Sequence, residues 1–237
     1  MSHDSALIVF AKHPAPGRVK TRLTPPLTPE EAAELYRCML LDTLAKVRSF
    51  PDVRGYLFYQ DEPAALPYFQ GIAPDFVLMP QEGCDLGGRM AGAFREVLSR
   101  GFRRVVIVGT DAPDLPVDYL HQAFRALVDD SVDVVFGPSA DGGYYLLALK
   151  AVPDCLFEGI AWSTGTVLAE SLARAEEAGV RVHLLPGWHD VDTCEDLQRC
   201  GLVHAGNGAP LTRDFVVRHL ANNYGRNTRN RTPATIL

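Results

Sequence analysis

The sequence predicts an α/β protein built on a mixed, mostly parallel sheet with helices on both faces. Three observations predict it. Strand-sized apolar runs alternate with helix-length segments along most of the chain, which is the pattern of repeated βαβ units. The clearest helical segment carries its own start signal and a single apolar stripe. The residues with distinctive chemistry follow the apolar runs, at the expected carboxyl ends of strands, where α/β proteins bind ligands.

The elements follow in order. Strands are expected at 5–11, 53–60, 75–79, 103–109, 132–137, 143–149 and 180–185, the first from the run Ala6-Leu7-Ile8-Val9-Phe10. A helix is expected at 29–49. Thr28 can act as its N-cap, Pro29 suits the first helical position, and the following glutamates offer a capping box. Leu35, Tyr36, Met39, Leu40, Leu44 and Val47 then recur at three- and four-residue spacing and draw one apolar face. Further helices are expected at 86–100, 116–128, 164–178, 193–204 and 212–222. The run at 143–149 follows 132–137 too closely for a helical crossover, so antiparallel or irregular pairing is expected there. One domain is read over 1–222, with 223–237 as a flexible basic tail. From Asn207 onward the chain holds five arginines and one acidic residue, and a solvated end is the plainer reading of that segment.

Composition narrows the function classes. The 237 residues are 47% apolar and carry a formal charge of −6, which argues against a nucleic-acid-binding protein. No apolar run approaches membrane-spanning length, and the start lacks the look of a signal peptide. Five cysteines without a C-x-x-C pair fit reduced thiols and a cytoplasmic location. The seven histidines show no H-x-x-x-H spacing, so a zinc hydrolase is not expected.

Against the acidic background stands one basic loop. Between Ala11 and Leu23 lie Lys12, Arg18, Lys20 and Arg22 with no acidic residue, and Pro14, Pro16 and Gly17 shape the path. Such a loop between a first strand and a first helix can hold phosphates, since charge-assisted hydrogen bonds are the strong ones. It can equally be solvated surface. It is neither a Walker A nor a G-x-G-x-x-G loop.

A second constellation, Val106 to Pro116, ends a buried strand in Gly109-Thr110-Asp111. Asp111 could give magnesium a hard oxygen ligand at the sheet edge, or simply close an Asx-turn. Asp114 better suits a cap for a helix starting near Pro116. In a third, Asp190-Val191-Asp192-Thr193-Cys194-Glu195-Asp196, alternation puts Asp190 and Asp192 on one side, within reach of completing a metal site. The same segment reads as a helix start, with either Asp192 and Glu195 or Thr193 and Asp196 as the capping pair, and the metal and helix-start readings are compatible. Gln81 to Arg89, including Gly83, Asp85 and Leu86, opens a helix and can face a ligand through its backbone. Asp141-Gly142-Gly143-Tyr144 reads as a flexible turn between strands. Gly137-x-Ser139-x-Asp141 misses the nucleophile-elbow pattern, so a serine hydrolase is not expected. Trp162, before a helix, is either core or a ligand contact.

The order of these motifs is more specific than any one of them. P-x-P-G-x-V-K-T-R-L, Q-x-G-x-D-L-G-x-R-M, G-T-D-x-P-x-L-P, G-P-x-x-D-G-G-Y-Y-L-L, W-S-T and D-V-D-T-x-E-D-L span residues 6–197. The series resembles the radical-SAM/selenodomain-associated transferase family, type 1, which is glycosyltransferase-like with the Rossmann-like GT-A (nucleotide-diphospho-sugar transferase) fold. It is more distantly similar to the 2-phospholactate and molybdenum-cofactor guanylyltransferases. The resemblance implies a transferase with a nucleotide or nucleotide-sugar donor, a small-molecule acceptor and Mg (or Mn). It implies that Lys20 and Arg22, with Ala11, Lys12 and Gly17, grip donor phosphates, and that Gln81, Gly83, Asp85, Leu86 and Arg89 read base and ribose. Asp111 and Asp192 become the metal aspartates, with Lys20, Arg22 and Asp111 carrying the chemistry. Asp141, Gly142, Gly143, Tyr144 and Trp162 face the acceptor. Two departures stand out. Gly143-Tyr144-Tyr145 replaces the Gly-Thr-Asn common in the guanylyltransferases, and Asp111-Ala112-Pro113 lacks the D-x-D of many glycosyltransferases. Nucleotidyl transfer and glycosyl transfer both fit, the basic loop favouring the first; a non-catalytic nucleotide-binding module is a third reading.

Overall fold

In the computed structural model, which describes residues 4–199 and 201–229, seven strands form one sheet in the order β3-β2-β1-β4-β6-β5-β7. They are β1 (Ser5–Ala11), β2 (Val53–Tyr59), β3 (Val77–Pro80), β4 (Arg104–Val108), β5 (Val134–Pro138), β6 (Tyr144–Leu149) and β7 (Val182–Leu184). Strand β6 runs antiparallel to both β4 and β5, and every other pair is parallel. The short connection from β5 to β6 thus makes the antiparallel hairpin its length requires. The sheet builds outward in one direction from β1 through β2 to β3, and in the other from β4. The β1/β4 junction is therefore the switch point of the topology, the place where open α/β sheets bind ligands.

Helices cover both faces. Helices α1 (Pro29–Arg48), α2 (Ala65–Ile72) and α4 (Val117–Ala126) pack on one side through Leu40, Leu44, Phe69 and Leu120. Helices α3 (Leu86–Ser99) and α5 (Val167–Glu177) cover the other through Met90, Phe94, Val97 and Ala175. Two further helices, α6 (Cys194–Arg199) and α7 (Pro210–Arg229), complete the set. Leu23, Leu35, Met39, Val191, Phe215 and Val216 form a third cluster that joins the basic loop, α1 and α7.

Helix α1 starts as its sequence dictates. The Glu31 N–H donates to Thr28 Oγ1 at 3.2 Å, and the Thr28 N–H donates to Glu31 Oε2 at 2.8 Å. Four expectations differ from what is found. The helix expected at 193–204 is shorter, since α6 ends at Arg199 and 202–208 form turns and bends. Helix α2 was not expected, because it has no capping side chain and contains Pro67 and Gly71. Asp114 does not cap α4, whose N-cap position is Pro116; it is buried and accepts from Trp188 Nε1 at 3.2 Å. Helix α7 runs seven residues beyond 222, so the expected tail over 223–237 falls partly on helix and partly outside the described residues.

Helix α1 also carries polar groups into the interior. Asp42 is buried and receives the N–H groups of Leu211 and Thr212, at 3.2 and 2.8 Å, and the Thr212 hydroxyl at 2.7 Å. It thereby satisfies the first turn of α7, whose N–H groups have no partner within their own helix. Lys46, one turn on, donates to the carbonyls of Pro113 and Gly208. Burial pushes its ammonium down to about 8, with Asp42 and Asp114 partly offsetting that. The Asp42→Ala variant is expected to lose about 3 kcal/mol of stability in urea unfolding, because charged hydrogen bonds to α7 vanish and Lys46 loses a neighbouring carboxylate.

Candidate active site

The motif-bearing loops converge on one edge of the sheet, at the carboxyl ends of the parallel strands. Lys12 to Thr28 follows β1, Gln81 to Asp85 follows β3, and Gly109 to Pro116 follows β4. The loop from Ser139 to Gly143 joins β5 to β6, and the segment from Leu185 to Thr193 follows β7. Strand ends from distant parts of the sequence thus bring the candidates together.

At the switch point lies an ion triad. Lys20 Nζ is 2.5 Å from Asp111 Oδ1 and 2.8 Å from Asp192 Oδ1, and it donates to the Val191 carbonyl at 2.6 Å. Only 4% of the Lys20 side chain is exposed, against 48% for Asp111 and 41% for Asp192. Burial alone would lower the Lys20 pKa; the two carboxylates more than offset it, and the group sits above its ordinary value. Its backbone is left-handed, at φ 48°, an uncommon conformation for a residue with a Cβ and one that clusters at functional sites. The resemblance assigns Lys20 to the donor phosphates and Asp111 and Asp192 to a metal. In the fold they are in direct contact.

The other cations of the basic loop differ in their engagement. Arg18 is 2.6 Å from Glu62, which also holds His13 at 2.8 Å, so this carboxylate ties the loop to the β2–α2 connection. Lys12 and Arg22 are exposed and make no ion pair among the described residues. Gly17 provides the loop's left-handed turn at φ 73°. The Lys12 N–H donates to the Tyr36 hydroxyl at 2.8 Å, and Thr110 Oγ1 donates to the same oxygen at 3.0 Å. Burial, reinforced by the Asp111 carboxylate, pushes the Tyr36 phenol up to about 12. Tyr36 reads in sequence as one more position of an apolar stripe, and nothing local marks it as the brace between β1 and β4.

The carboxylates on the β7 side divide their work. Asp192 faces Lys20, whereas Asp190 accepts from the Ser139 hydroxyl at 2.8 Å. Burial pushes Asp190 up to about 7; the Ser139 bond acts against this, and the Asp111, Asp141 and Asp192 carboxylates add to it. The Val191 N–H donates to the Asp111 carbonyl at 2.8 Å, stitching the two aspartate loops together. Asp196 Oδ2 accepts from the N–H and hydroxyl of Thr193, at 2.7 and 2.8 Å, so the capping pair coexists with Asp192 at the site. Among the described residues no three His, Cys, Asp or Glu side chains cluster as a metal cage. Beneath Asp111 and Asp190 is a cavity of about 90 Å³, bordered also by Thr43, Lys46 and Tyr145. It can hold water but is too small for a nucleotide.

The remaining candidates flank this centre. Gln81 Nε2 donates to the Phe58 carbonyl at 2.9 Å and the Ala11 carbonyl at 3.4 Å, which fixes its amide across β1 and β2. Asp85 caps α3 by accepting from the Gly88 N–H at 2.7 Å, and Leu86 is exposed. Gly83 has φ 144°, and a Cβ there would fall 2.6 Å from the Arg89 nitrogen; Arg89 Nε donates back to the Gly83 carbonyl at 3.3 Å. Trp162 packs on Gly87, where a Cβ would fall 2.4 Å from its ring, and its indole N–H is buried without a partner among the described residues. The stretches expected to serve donor and acceptor are therefore contiguous. Asp141 Oδ1 accepts from the Gly143 N–H at 2.9 Å, and Gly142, at φ 89°, abuts the Gly165 carbonyl so closely that no side chain fits. The Tyr144 hydroxyl points at Met90 Sδ, 3.9 Å away.

The proteins this chain resembles are transferases of the nucleotidyl- and nucleotide-sugar-transferring class. Residues 43–164 match the family model described as "Uncharacterized protein conserved in bacteria (DUF2064)", and the chain belongs to that family. A protein of Desulfovibrio desulfuricans G20, provisionally named a nucleotide-diphospho-sugar transferase, superposes with a TM-score of 0.85 and 31% identity, over 93% of this chain and 96% of its own. The 2-phospho-L-lactate guanylyltransferase of Methanothermobacter thermautotrophicus is 28% identical over 192 residues, 75% of this chain and 76% of that protein. A cytidylyltransferase from Leptospira borgpetersenii shares the fold, with a TM-score of 0.57 at 13% identity, over 99% of this chain and the whole of its own. No helix among the described residues is long and apolar enough to cross a membrane.

The Tyr36→Phe variant is expected to fold but to lose about 1–3 kcal/mol in thermal or urea unfolding, since the Lys12 N–H and the Thr110 hydroxyl both lose their acceptor.

Proposed function

We propose that this protein transfers a nucleotidyl group from a nucleoside triphosphate to a small phosphorylated or acidic acceptor. One observation carries the reading: Lys20, Asp111 and Asp192 meet at the β1/β4 switch point, and on the same loop Lys12 and Arg22 are exposed with no ion pair among the described residues. The likeness to a guanylyltransferase supports it.

The chemistry is a displacement at phosphorus. An acceptor oxygen attacks the α-phosphorus, the bond from that phosphorus to the bridging oxygen breaks, and pyrophosphate leaves with the electron pair. Lys20 and Arg22 meet the charge that builds on the leaving group, while Lys12 and the turn at Gly17 hold the phosphates in line. Gln81, Gly83, Asp85, Leu86 and Arg89 border base and ribose, and Asp141, Gly142, Gly143, Tyr144 and Trp162 border the acceptor. An ionised phosphate or carboxylate acceptor can attack without a general base. Two half-exposed aspartates already shaped around a cation fit magnesium or manganese, which take their other ligands from phosphates and water. Asp111 and Asp192 would hold that ion. When bound, it supplies Lewis-acid stabilisation of negative charge on phosphate oxygens.

The 31% identical relative named for nucleotide-diphospho-sugars favours a second reading, glycosyl transfer from such a donor. Thermal shift in the presence of magnesium separates the two. The first reading expects stabilisation by at least one of ATP, GTP, CTP or UTP. Stabilisation by UDP- or GDP-sugars and by no triphosphate would replace it with the second. The Asp111→Ala and Asp192→Ala variants are expected to lose the magnesium-dependent part of the shift. Wild-type shifts in both would remove these residues from the metal site.

A further inference from the structure

The triad raises a question of order, because Lys20 stands where a metal held by Asp111 and Asp192 would have to go. We propose that Lys20 is the resident cation of the two-aspartate site, and that a divalent metal enters only as donor phosphates draw the ammonium away. Metal and donor then bind as a coupled pair. The proposal rests on the reading of this edge as a metal–nucleotide site.

Three features carry it. The first is occupancy: one ammonium bridges both carboxylates, at 2.5 and 2.8 Å, and a third bond to the Val191 carbonyl at 2.6 Å uses its last donor. The second is charge. Two carboxylates and one ammonium leave the trio at −1, a weak attraction for a divalent ion. Expelling the ammonium with no anion to receive it gives up both carboxylate contacts and the Val191 bond for water alone. A donor phosphate chain changes both terms at once, by giving Lys20 a new anionic partner and by supplying the metal with oxygens the protein lacks. The third is the donor set. Among the described residues no third carboxylate, histidine or cysteine joins Asp111 and Asp192 as a metal cage, so protein ligands alone are few for an ion that wants six.

The loop is built for such an exchange. Glu62 anchors it through His13 and Arg18, upstream of Lys20, and Leu23 anchors it downstream in the cluster with α1 and α7. Between these anchors Lys20 holds a left-handed backbone and a flexible four-carbon stem, so its ammonium can turn towards the open edge without moving either anchor. The coupling is reciprocal: the factor by which the donor tightens metal binding is the factor by which metal tightens donor binding.

Calorimetric titration of Mn²⁺ into the protein without nucleotide tests this directly. Wild type is expected to bind weakly, Lys20→Met about tenfold or more tightly, and Lys20→Arg as weakly as wild type. Circular dichroism confirms that each variant is folded. A second measurement keeps wild type as the subject: the ¹⁵N-lysine ammonium resonance of Lys20 should persist with Mg²⁺ alone and shift when Mg²⁺ is added with a triphosphate from the stabilising set. Wild type binding Mn²⁺ as tightly as folded Lys20→Met, or a Lys20 resonance displaced by Mg²⁺ alone, overturns the exchange while leaving the metal site standing. Mn²⁺ binding to Lys20→Met that survives Asp111→Asn and Asp192→Asn overturns the metal site and the exchange with it.

Discussion

One buried ammonium organises the functional edge of this molecule. Lys20 can remain charged out of water only because carboxylates from two distant segments reach it. That requirement fixes where the loop after β1, the end of β4 and the segment after β7 must lie relative to one another. Val191 shows how tightly they are fitted: its carbonyl accepts from Lys20 while its N–H donates to the Asp111 carbonyl. Because both aspartates stay about half exposed, solvent screens the pairs. The triad specifies geometry more than it contributes stability.

Behind the triad, α1 holds the scaffold in place with polar side chains carried on its buried face. Tyr36 braces the start of the basic loop against Thr110, Asp42 closes the first turn of α7, and Lys46 links the β4 loop to the segment before α7. Each satisfies backbone groups that would otherwise be buried without partners, at a cost comparable to a lost hydrogen bond. The helix therefore does two jobs with one surface. Leu40, Leu44 and Val47 bury it against the sheet, and the interspersed polar groups set the position of the loops at the sheet edge.

How much of this was legible in the sequence depends on the range of the interaction. Strand β1 and the start of α1 were readable because a continuous apolar run and a capping box are local signals. The antiparallel β5–β6 pair followed from connection length alone. Helix α2 was missed because Ala65 and Phe69 are its only buried positions and it has no cap. Asp114 was misread because its partner Trp188 lies 74 residues on. The motifs were legible as a series, and the family relationship is consistent with that order. The contact between Lys20 and the aspartates was not, since nothing within a few residues of Lys20 announces a carboxylate.

The structure also changes the meaning of the basic loop. In sequence it is four cations and no acid. In the fold, Glu62 pairs with Arg18, and Asp111 and Asp192 pair with Lys20, while Lys12 and Arg22 make no ion pair among the described residues. Two exposed cations are a weak electrostatic hold on a triphosphate at physiological salt, where exposed charges are screened within about 8 Å. Full complementarity needs the Lys20 ammonium turned outward and its place between the carboxylates taken by another cation. Under the proposed exchange, such a site would favour the metal–nucleotide complex over either component alone. The discrimination comes from the requirement that no buried charge be left without a partner.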